Sequence, residues 1–413
     1  MKGSKVKIAH WLMIGFLLAL GIIAGIDFTS KFLPDSRFGC DLRLRRNEIL
    51  CAHQGIDSFR IWNRDVTLTG FTPIWRPDRP KLEKKDGDRP VHAYPAWHTF
   101  FFYFYGWLPE LMCIALMSLC YGVCVKFIVD EILTASKEIT PFGGIAAGYV
   151  LALIAFPSTQ CFFVLNYGIF LTAVFLLLRK FSNSGHQIWA GLCWALMMIK
   201  PQVGLLFFWP LLWHKKYKTI VTAIIVCVFA SCATAFLVNE NPINMILQIP
   251  EIGKPYGLYF IGEKVLKPIL GDSASMIWMS FFFCLSALLS YGTRGIRDLL
   301  VSSSPIVAFI PIWTYSQPHD HVILIGWYLA TVVCALEMKW WKRYWQVLIF
   351  VTIFTRSWVL ACFFGVFDPA GKGWMYYLMS VGFDMLTVYA TAVFSWQAFK
   401  HKLPKELSGE CCA

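Results

Sequence analysis

Long apolar runs, separated by short polar or basic stretches, recur from the N-terminus almost to the end of the chain. A helix needs roughly 20 such residues to cross a hydrocarbon core of ~30 Å. Ile8–Ile26 is the first run. After it come Trp97–Val129, Phe142–Phe156, Cys161–Leu178, Ile188–Ile199, Val203–Trp213, Ile220–Val238, Ala274–Tyr291, Leu299–Thr314, Val322–Ala335, Trp345–Phe364 and Trp374–Phe399. The second is too long for one helix, and Pro109 divides it into an interfacial piece and a span. Ile188–Ile199 and Val203–Trp213 are each too short, since a dozen residues reach only ~18 Å. They read as a broken helical pair over 188–213 that meets at Lys200-Pro201. The pattern predicts one all-α domain spanning 1–413, a polytopic membrane helical bundle of about 12 transmembrane segments.

The one long polar stretch, 28–95, is a large loop after the first span. Within it Asp41–Gln54 has helix-forming composition and stops at Gly55, a residue suited to a helix C-terminus. Leu42, Ile49 and Ala52 share a face at helical spacing with Arg45 and Arg46 beside it, which fits a helix lying at the membrane surface. From Asn63 to Arg89 the sequence is polar, Pro-rich and without periodicity. Cys40 and Cys51 sit at the two ends of this segment. If it is helical they are ~16 Å apart at 1.5 Å per residue, too far for a disulfide, so both read as free thiols. The opening residues resemble a signal peptide, with Lys2, Lys5 and Lys7 ahead of an apolar run. No small-x-small site follows, and the run is long for a cleaved leader, so a retained helix is expected.

Only 15% of the 413 residues are charged while 57% are hydrophobic, which excludes an ordinary soluble domain. The net charge of +12 resides in loops between spans and points to anionic lipid or phosphate, not to nucleic acid. Short-loop basic residues set orientation. Lys2, Lys5, Lys7, Lys126, Lys137, Arg179, Lys180, Lys215, Lys216, Lys218, Arg294, Arg297, Lys339, Lys342, Arg343, Lys400, Lys402 and Lys405 all fall on one side, expected to be cytoplasmic with both termini. The basic 28–95 loop falls on the other, and its length exempts it from the rule.

Four segments then acquire a joint meaning: "CDLRLRRNEILCAHQGIDSF" (Cys40–Phe59), "HAYPAW" (His92–Trp97), "LNYGIFLTAVFLLL" (Leu165–Leu178) and "ALMMIKPQVGLLFFWPLL" (Ala195–Leu212). In this order they resemble glycosyltransferase family 87, GT-C-class membrane enzymes that use polyprenyl-phosphate sugars and include α-mannosyltransferases. The match covers roughly the first half of the chain; the second half agrees in hydropathy and in "SQPHDH" (Ser316–His321). The resemblance implies a GT-C-type bundle in the cell membrane, the bacterial inner membrane, with a large first extracytoplasmic loop. It implies an inverting transfer of mannose, or another hexose or pentose, from a polyprenyl-phosphate donor to a lipid-linked or cell-envelope glycan acceptor, without a cofactor.

Such a transfer needs a base for the acceptor hydroxyl and cations for the departing phosphate. The resemblance implies an Asp of the first external loop as base, and Asp41 holds the matching position. A carboxylate opening a helix is also an ordinary N-cap, so both readings stand. Asp27, at the membrane edge after the first span, is the rival base. Lys200 leads as donor-phosphate partner because it interrupts an apolar pair where Pro201 frees backbone groups; snorkelling to the interface is the bland account. Arg43, Arg45 and Arg46 suit bidentate phosphate binding or simply face headgroups. His319, Asp320 and His321 suggest metal at first sight, but further ligands with telling spacing are missing, so His319 and His321 are assigned to phosphate and no metal is expected. Gln202, Asn166 and Tyr94 are candidate substrate contacts, each with a structural alternative: a broken-helix partner, an interhelical hydrogen bond, and a headgroup-level anchor. A transporter or flippase also fits the broken pair 188–213, though paired breaks in both halves are the expected transporter pattern. A purely structural membrane partner accounts for hydropathy alone.

Overall fold

The computed structural model describes residues 2–32, 38–58, 94–247, 269–313, 318–336 and 374–400. All regular elements among these residues are helical. Among the described residues, five helices are long and apolar enough to cross a membrane, and five shorter apolar helical stretches accompany them. The expected span Trp345–Phe364 and the irregular stretch 63–89 lie outside the described residues.

Helix α1 (Lys2–Phe32) lies against α5 (Gly143–Val164), and most of its other face is exposed apolar surface. The two helices approach closely because the contact residues are small. A Cβ at Gly148 would stand 2.8 Å from Ile14, and one at Gly25 would stand 2.8 Å from Thr159. Small residues are how helices pack tightly in lipid, where burial against a neighbour gains nothing over burial in acyl chains. The same device joins α7 (Gln187–Met197) to α10 (Tyr217–Leu237), where a Cβ at Gly191 would meet Thr222 at 2.5 Å.

Pro109 opens α4 (Glu110–Ile139), and ahead of it α3 (Ala96–Phe101) and a 3-10 turn form a separate short piece. Two boundaries differ from the hydropathy reading. The runs Phe142–Phe156 and Cys161–Leu178 do not part at Pro157, which lies inside α5. They part at Leu165, in a left-handed conformation (φ 51°), before α6 (Gly168–Asn183). A proline removes one helical hydrogen bond and is tolerated in a membrane helix, whereas a left-handed residue turns the chain. The run Leu299–Thr314 is not one span either. It forms three short helices, Leu299–Ser302, Ser304–Val307 and Ile310–Trp313. Pro305 and Pro311 lack N–H groups there, and the Ser303 hydroxyl donates to the Leu299 carbonyl at 2.6 Å, so the continuous ladder gives way.

Chain direction sorts the helix ends into two groups. Glu110, at the start of α4, binds Arg43 of α2 (Cys40–His53). Glu131 and Glu138, near the end of α4, meet Arg179 near the end of α6. Helix α7 returns from that far end, and its last turn meets Trp97, whose indole donates to the Met198 carbonyl at 2.9 Å. Helix α8 (Pro201–Gly204), a 3-10 turn and α9 (Phe208–Trp213) go back again, and His214 lies 3.1 Å from Ser302. Helix α10 then brings Thr234 to the Ala96 carbonyl at 2.8 Å. One end of the bundle therefore gathers α2, α3, Leu165–Tyr167 and Lys200, and the other gathers Lys137, Arg179, Lys180, Lys215, Lys216 and Lys218.

Candidate functional site

The site is assembled where helices are interrupted. Helix α2 begins at Gly39, whose left-handed backbone (φ 77°) no Cβ-bearing residue adopts easily. Gly39 N–H donates to the Phe163 carbonyl at 3.0 Å. A Cβ there would come within 3.0 Å of Leu165, the second left-handed residue. The start of α2 is thus fastened to the exit of α5. Helix α2 ends in a Schellman arrangement, with Gly55 N–H on the Ala52 carbonyl at 3.0 Å and Ile56 N–H on Cys51 at 2.9 Å. Eight of its fourteen residues are buried, Arg45 and Glu48 among them, so this face of α2 looks into the protein and not at headgroups.

Gly39, not Asp41, holds the N-cap position, and it makes no side-chain cap bond. The Asp41 carboxylate instead accepts a hydrogen bond from Asn166 Nδ2. Asn166 Oδ1 accepts from Lys200 Nζ at 2.6 Å and from Gly168 N–H at 3.2 Å. Lys200 Nζ also donates to Asp320 Oδ1, forming an ion pair between two side chains that are 3% and 1% exposed. Lysine only donates and an ionised carboxylate only accepts, so the Asn166 amide has a single orientation that serves both neighbours. The result is one hydrogen-bonded chain, Asp41–Asn166–Lys200–Asp320. Asp41 at its end is half-buried, and the other three are buried. Each member sits at an irregularity: the first turn of α2, the turn between α5 and α6, the junction of α7 with α8, and the 3-10 turn Pro318–Leu324.

Beside this chain lies a second group. Arg45 is paired with Glu48 and stacks over the Tyr94 ring, 3.9 Å from its centroid. Glu48 Oε2 accepts Tyr94 N–H at 3.3 Å and lies 3.6 Å from His98 Nδ1. His98 Nε2 is 3.0 Å from the Tyr167 hydroxyl. Burial raises the Glu48 carboxyl to about 8, against the opposing pull of Arg45. Burial likewise pushes the Tyr94 phenol up, with Lys200 and then Arg45 pulling the other way and Asp41 and Asp320 adding to the rise. Tyr94 therefore sits within the field of all four charges. Burial takes the Cys40 and Cys51 thiols to about 12, and both are free.

Of the residues singled out in the sequence, the structure links Asp41, Asn166 and Lys200 directly, with Tyr94 and Arg45 adjacent. Arg43 binds Glu110 at 2.7 Å, and Arg46 donates to the Leu108 carbonyl at 3.0 Å. Gln202 takes part through its backbone, accepting the Trp313 indole N–H at 2.7 Å. Asp27 does not follow the first helix but lies inside α1, on an exposed flank. His321 is half-buried on the Asp320 turn, and the His319 side chain lies outside the described set. Two functional candidates escaped the sequence reading. Asp320, passed over between two histidines, is the partner of Lys200. Glu48 is the partner of Arg45, and the three-residue spacing on one helix was its only signal. Among the described residues no three His, Cys, Asp or Glu side chains converge as metal ligands.

Residues 92–244 match the model of glycosyltransferase family 87. That stretch contains Tyr94, Asn166, Lys200 and Gln202, and it leaves out Asp41 and Asp320. No curated protein and no solved structure matches the chain.

Proposed function

We propose that this membrane glycosyltransferase moves one sugar from a polyprenyl-phosphate donor to a lipid-linked or glycan acceptor, with inversion, on the extracytoplasmic side of the cell membrane. The observation that carries the reading is the convergence of Asp41 and Lys200 on the two sides of the Asn166 amide. A displacement at an anomeric carbon needs a proton acceptor on one side and a positive charge on the other. Asp41 is the half-exposed end of the chain and takes the acceptor proton. Lys200 has three N–H donors, two of them directed at Asn166 and Asp320, and the third serves the departing phosphate. Arg43 and Arg45 supply further charge for the phosphate, with His319 and His321 of the adjoining turn, while Tyr94 and Gln202 line the sugar. Asp27 becomes the weaker choice of base because it lies inside α1 on an exposed flank.

The orientation follows from charge. The short basic loops lie at the far end of α4, α6 and α12 (Ala274–Gly292), which makes that end cytoplasmic and the Asp41 end external. The bundle of about 12 crossings and the GT-C arrangement belong to this reading. A cysteine placed at Ile243 should label with an impermeant maleimide in intact cells, while one at Ser184 should not. The reverse pattern would defeat the orientation.

Transport of a lipid-linked solute is the second reading, favoured by the interruptions at Leu165–Tyr167 and Met198–Lys200, because discontinuous helices also form transporter sites. Purified protein in lipid discs separates the two. Incubated with a polyprenyl-phosphate sugar and membrane-extracted acceptor, the wild type should release polyprenyl phosphate and Asp41→Asn should not. Movement of intact donor across vesicles, with no release of polyprenyl phosphate, would favour transport.

A further inference from the structure

Three of the four groups in the Asp41–Asn166–Lys200–Asp320 chain are buried, and only Asp41 is partly exposed. A buried ammonium with a buried carboxylate gains little stability over apolar residues of similar volume. A pair retained at a helix break thus calls for a use beyond packing. The contacts indicate one. Asn166 has a free choice of amide orientation unless its neighbours decide it, and Lys200 and Gly168 N–H decide it by taking Oδ1. With Oδ1 occupied, Nδ2 is left to face Asp41. Lys200 in turn is held by Asp320, which comes from the distant 3-10 turn.

We infer that Asn166 and Asp320 are positioning residues for the transfer reaction: Asp320 anchors Lys200, Lys200 fixes the Asn166 amide, and the amide holds the Asp41 carboxylate ionised and correctly turned. This rests on Asp41 being the base. A hydrogen bond donated to a carboxylate favours its charged form, and a nearby cation does the same, while a second carboxylate opposes it. The groups in the field of Asp41 include Cys40, Arg45 and Glu48 on its own helix, Tyr94, Tyr121 from α4 and Lys200. From α5, Cys161 donates its thiol hydrogen to the Asn166 carbonyl at 3.0 Å.

The pH dependence of transfer tests the chain, since its acidic limb reports protonation of the base. Asn166→Asp keeps an acceptor for Lys200 but turns a second carboxylate toward Asp41, so the acidic limb should move up by about one unit or more. Asp320→Asn keeps a carbonyl acceptor for Lys200 while removing a negative charge, so the limb should move down. Shifts in opposite directions cannot come from a general loss of folded enzyme. Each rate is normalised to the folded fraction by size-exclusion chromatography. Should Asn166→Asp fail to fold, Asn166→Ser removes the donated N–H and should still move the limb upward. Equal rate loss at every pH, with the limb unmoved in both Asn166 and Asp320 variants, would overturn the inference while leaving Asp41 as base. An Asp41→Asn protein that stays active would instead remove the base assignment itself.

Discussion

Among the described residues, two charged clusters stand at opposite ends of the bundle, and they are built differently. At the far end Arg179 meets Asp298 at 2.7 Å, Glu138 at 3.3 Å and Glu131 at 3.5 Å, with Lys180 3.3 Å from Glu131. Asp298 also caps the helix that follows it, accepting Leu300 N–H at 2.8 Å. Glu131, Glu138, Arg179 and Lys180 lie toward the ends of long helices and Asp298 at the head of a short one, and the carboxylates are 14–61% exposed. Water shares the cost of their charge, and the planar guanidinium gathers three carboxylates from two other segments. At the other end the Lys200–Asp320 pair is almost wholly buried and connects to Asp41 through a single amide. The far cluster fastens helices together. The near one places ionisable groups where no structural need puts them, at interruptions of apolar helices, and a membrane protein keeps such groups for function. Mutation of the near cluster should therefore lower the rate of transfer, whereas mutation of the far cluster should lower stability alone.

The largest contrast is expected at Asp41. Asp41→Asn should lower the transfer rate by about 10²–10⁴-fold, the range of a general-base contribution, with thermal stability near that of the wild type. A variant that loses rate only in proportion to folded protein would erase the distinction between the clusters.

Lys200→Met should act on both quantities. Losing a donor to the departing phosphate removes about 3 kcal/mol of transition-state stabilisation, roughly a hundredfold in rate. Asp320 is then left buried without its cation, so stability falls by about 3 kcal/mol as well. Combining Lys200→Met with Asp320→Asn should recover most of the stability and none of the rate. Recovery of both would make the pair a structural one.

The far cluster should show the complement. Arg179→Met keeps the apolar stem and should lower stability by about 1–2 kcal/mol, discounted because its partners are partly exposed. The rate per folded molecule should stay at the wild-type level, read from transfer assays on the monodisperse fraction.

A smaller effect belongs to Glu48. Its carboxyl is raised in the folded protein to about 8 from an ordinary value near 4.5. The folded state therefore holds a proton that the unfolded state has released, and stability is lost as pH rises through that window. Melting temperature should fall between pH 5 and pH 8, with Arg45 offsetting part of the change, and Glu48→Gln should flatten the slope. An unchanged slope would remove Glu48 as its source.

Much of this was legible in the sequence, and the failures have physical causes. The apolar periodicity marked α1, α4, α10 and α12, because lipid selects for length and hydropathy directly. The Lys200-Pro201 break was visible, since an ionisable residue before proline in an apolar run is costly anywhere else. The break expected between Phe156 and Cys161 failed because a bilayer helix absorbs Pro157, while the actual turn at Leu165 depends on a left-handed backbone that leucine does not advertise. The single span expected over Leu299–Thr314 failed because serines and prolines divide it without lowering its hydropathy enough to notice. Asp320 was read among its histidine neighbours, and only tertiary contact reveals that it turns to Lys200.

The roles of Asp41 and Lys200 are tested most directly by where the donor sits. A structure in lipid discs with a non-transferable polyprenyl-phosphate sugar analogue answers that. A phosphate oxygen should lie within hydrogen-bond reach of Lys200, with Asp41 facing the anomeric carbon from the opposite side. An analogue bound beside Arg179, or seated with Asp41 and Lys200 both turned away from it, would contradict those roles.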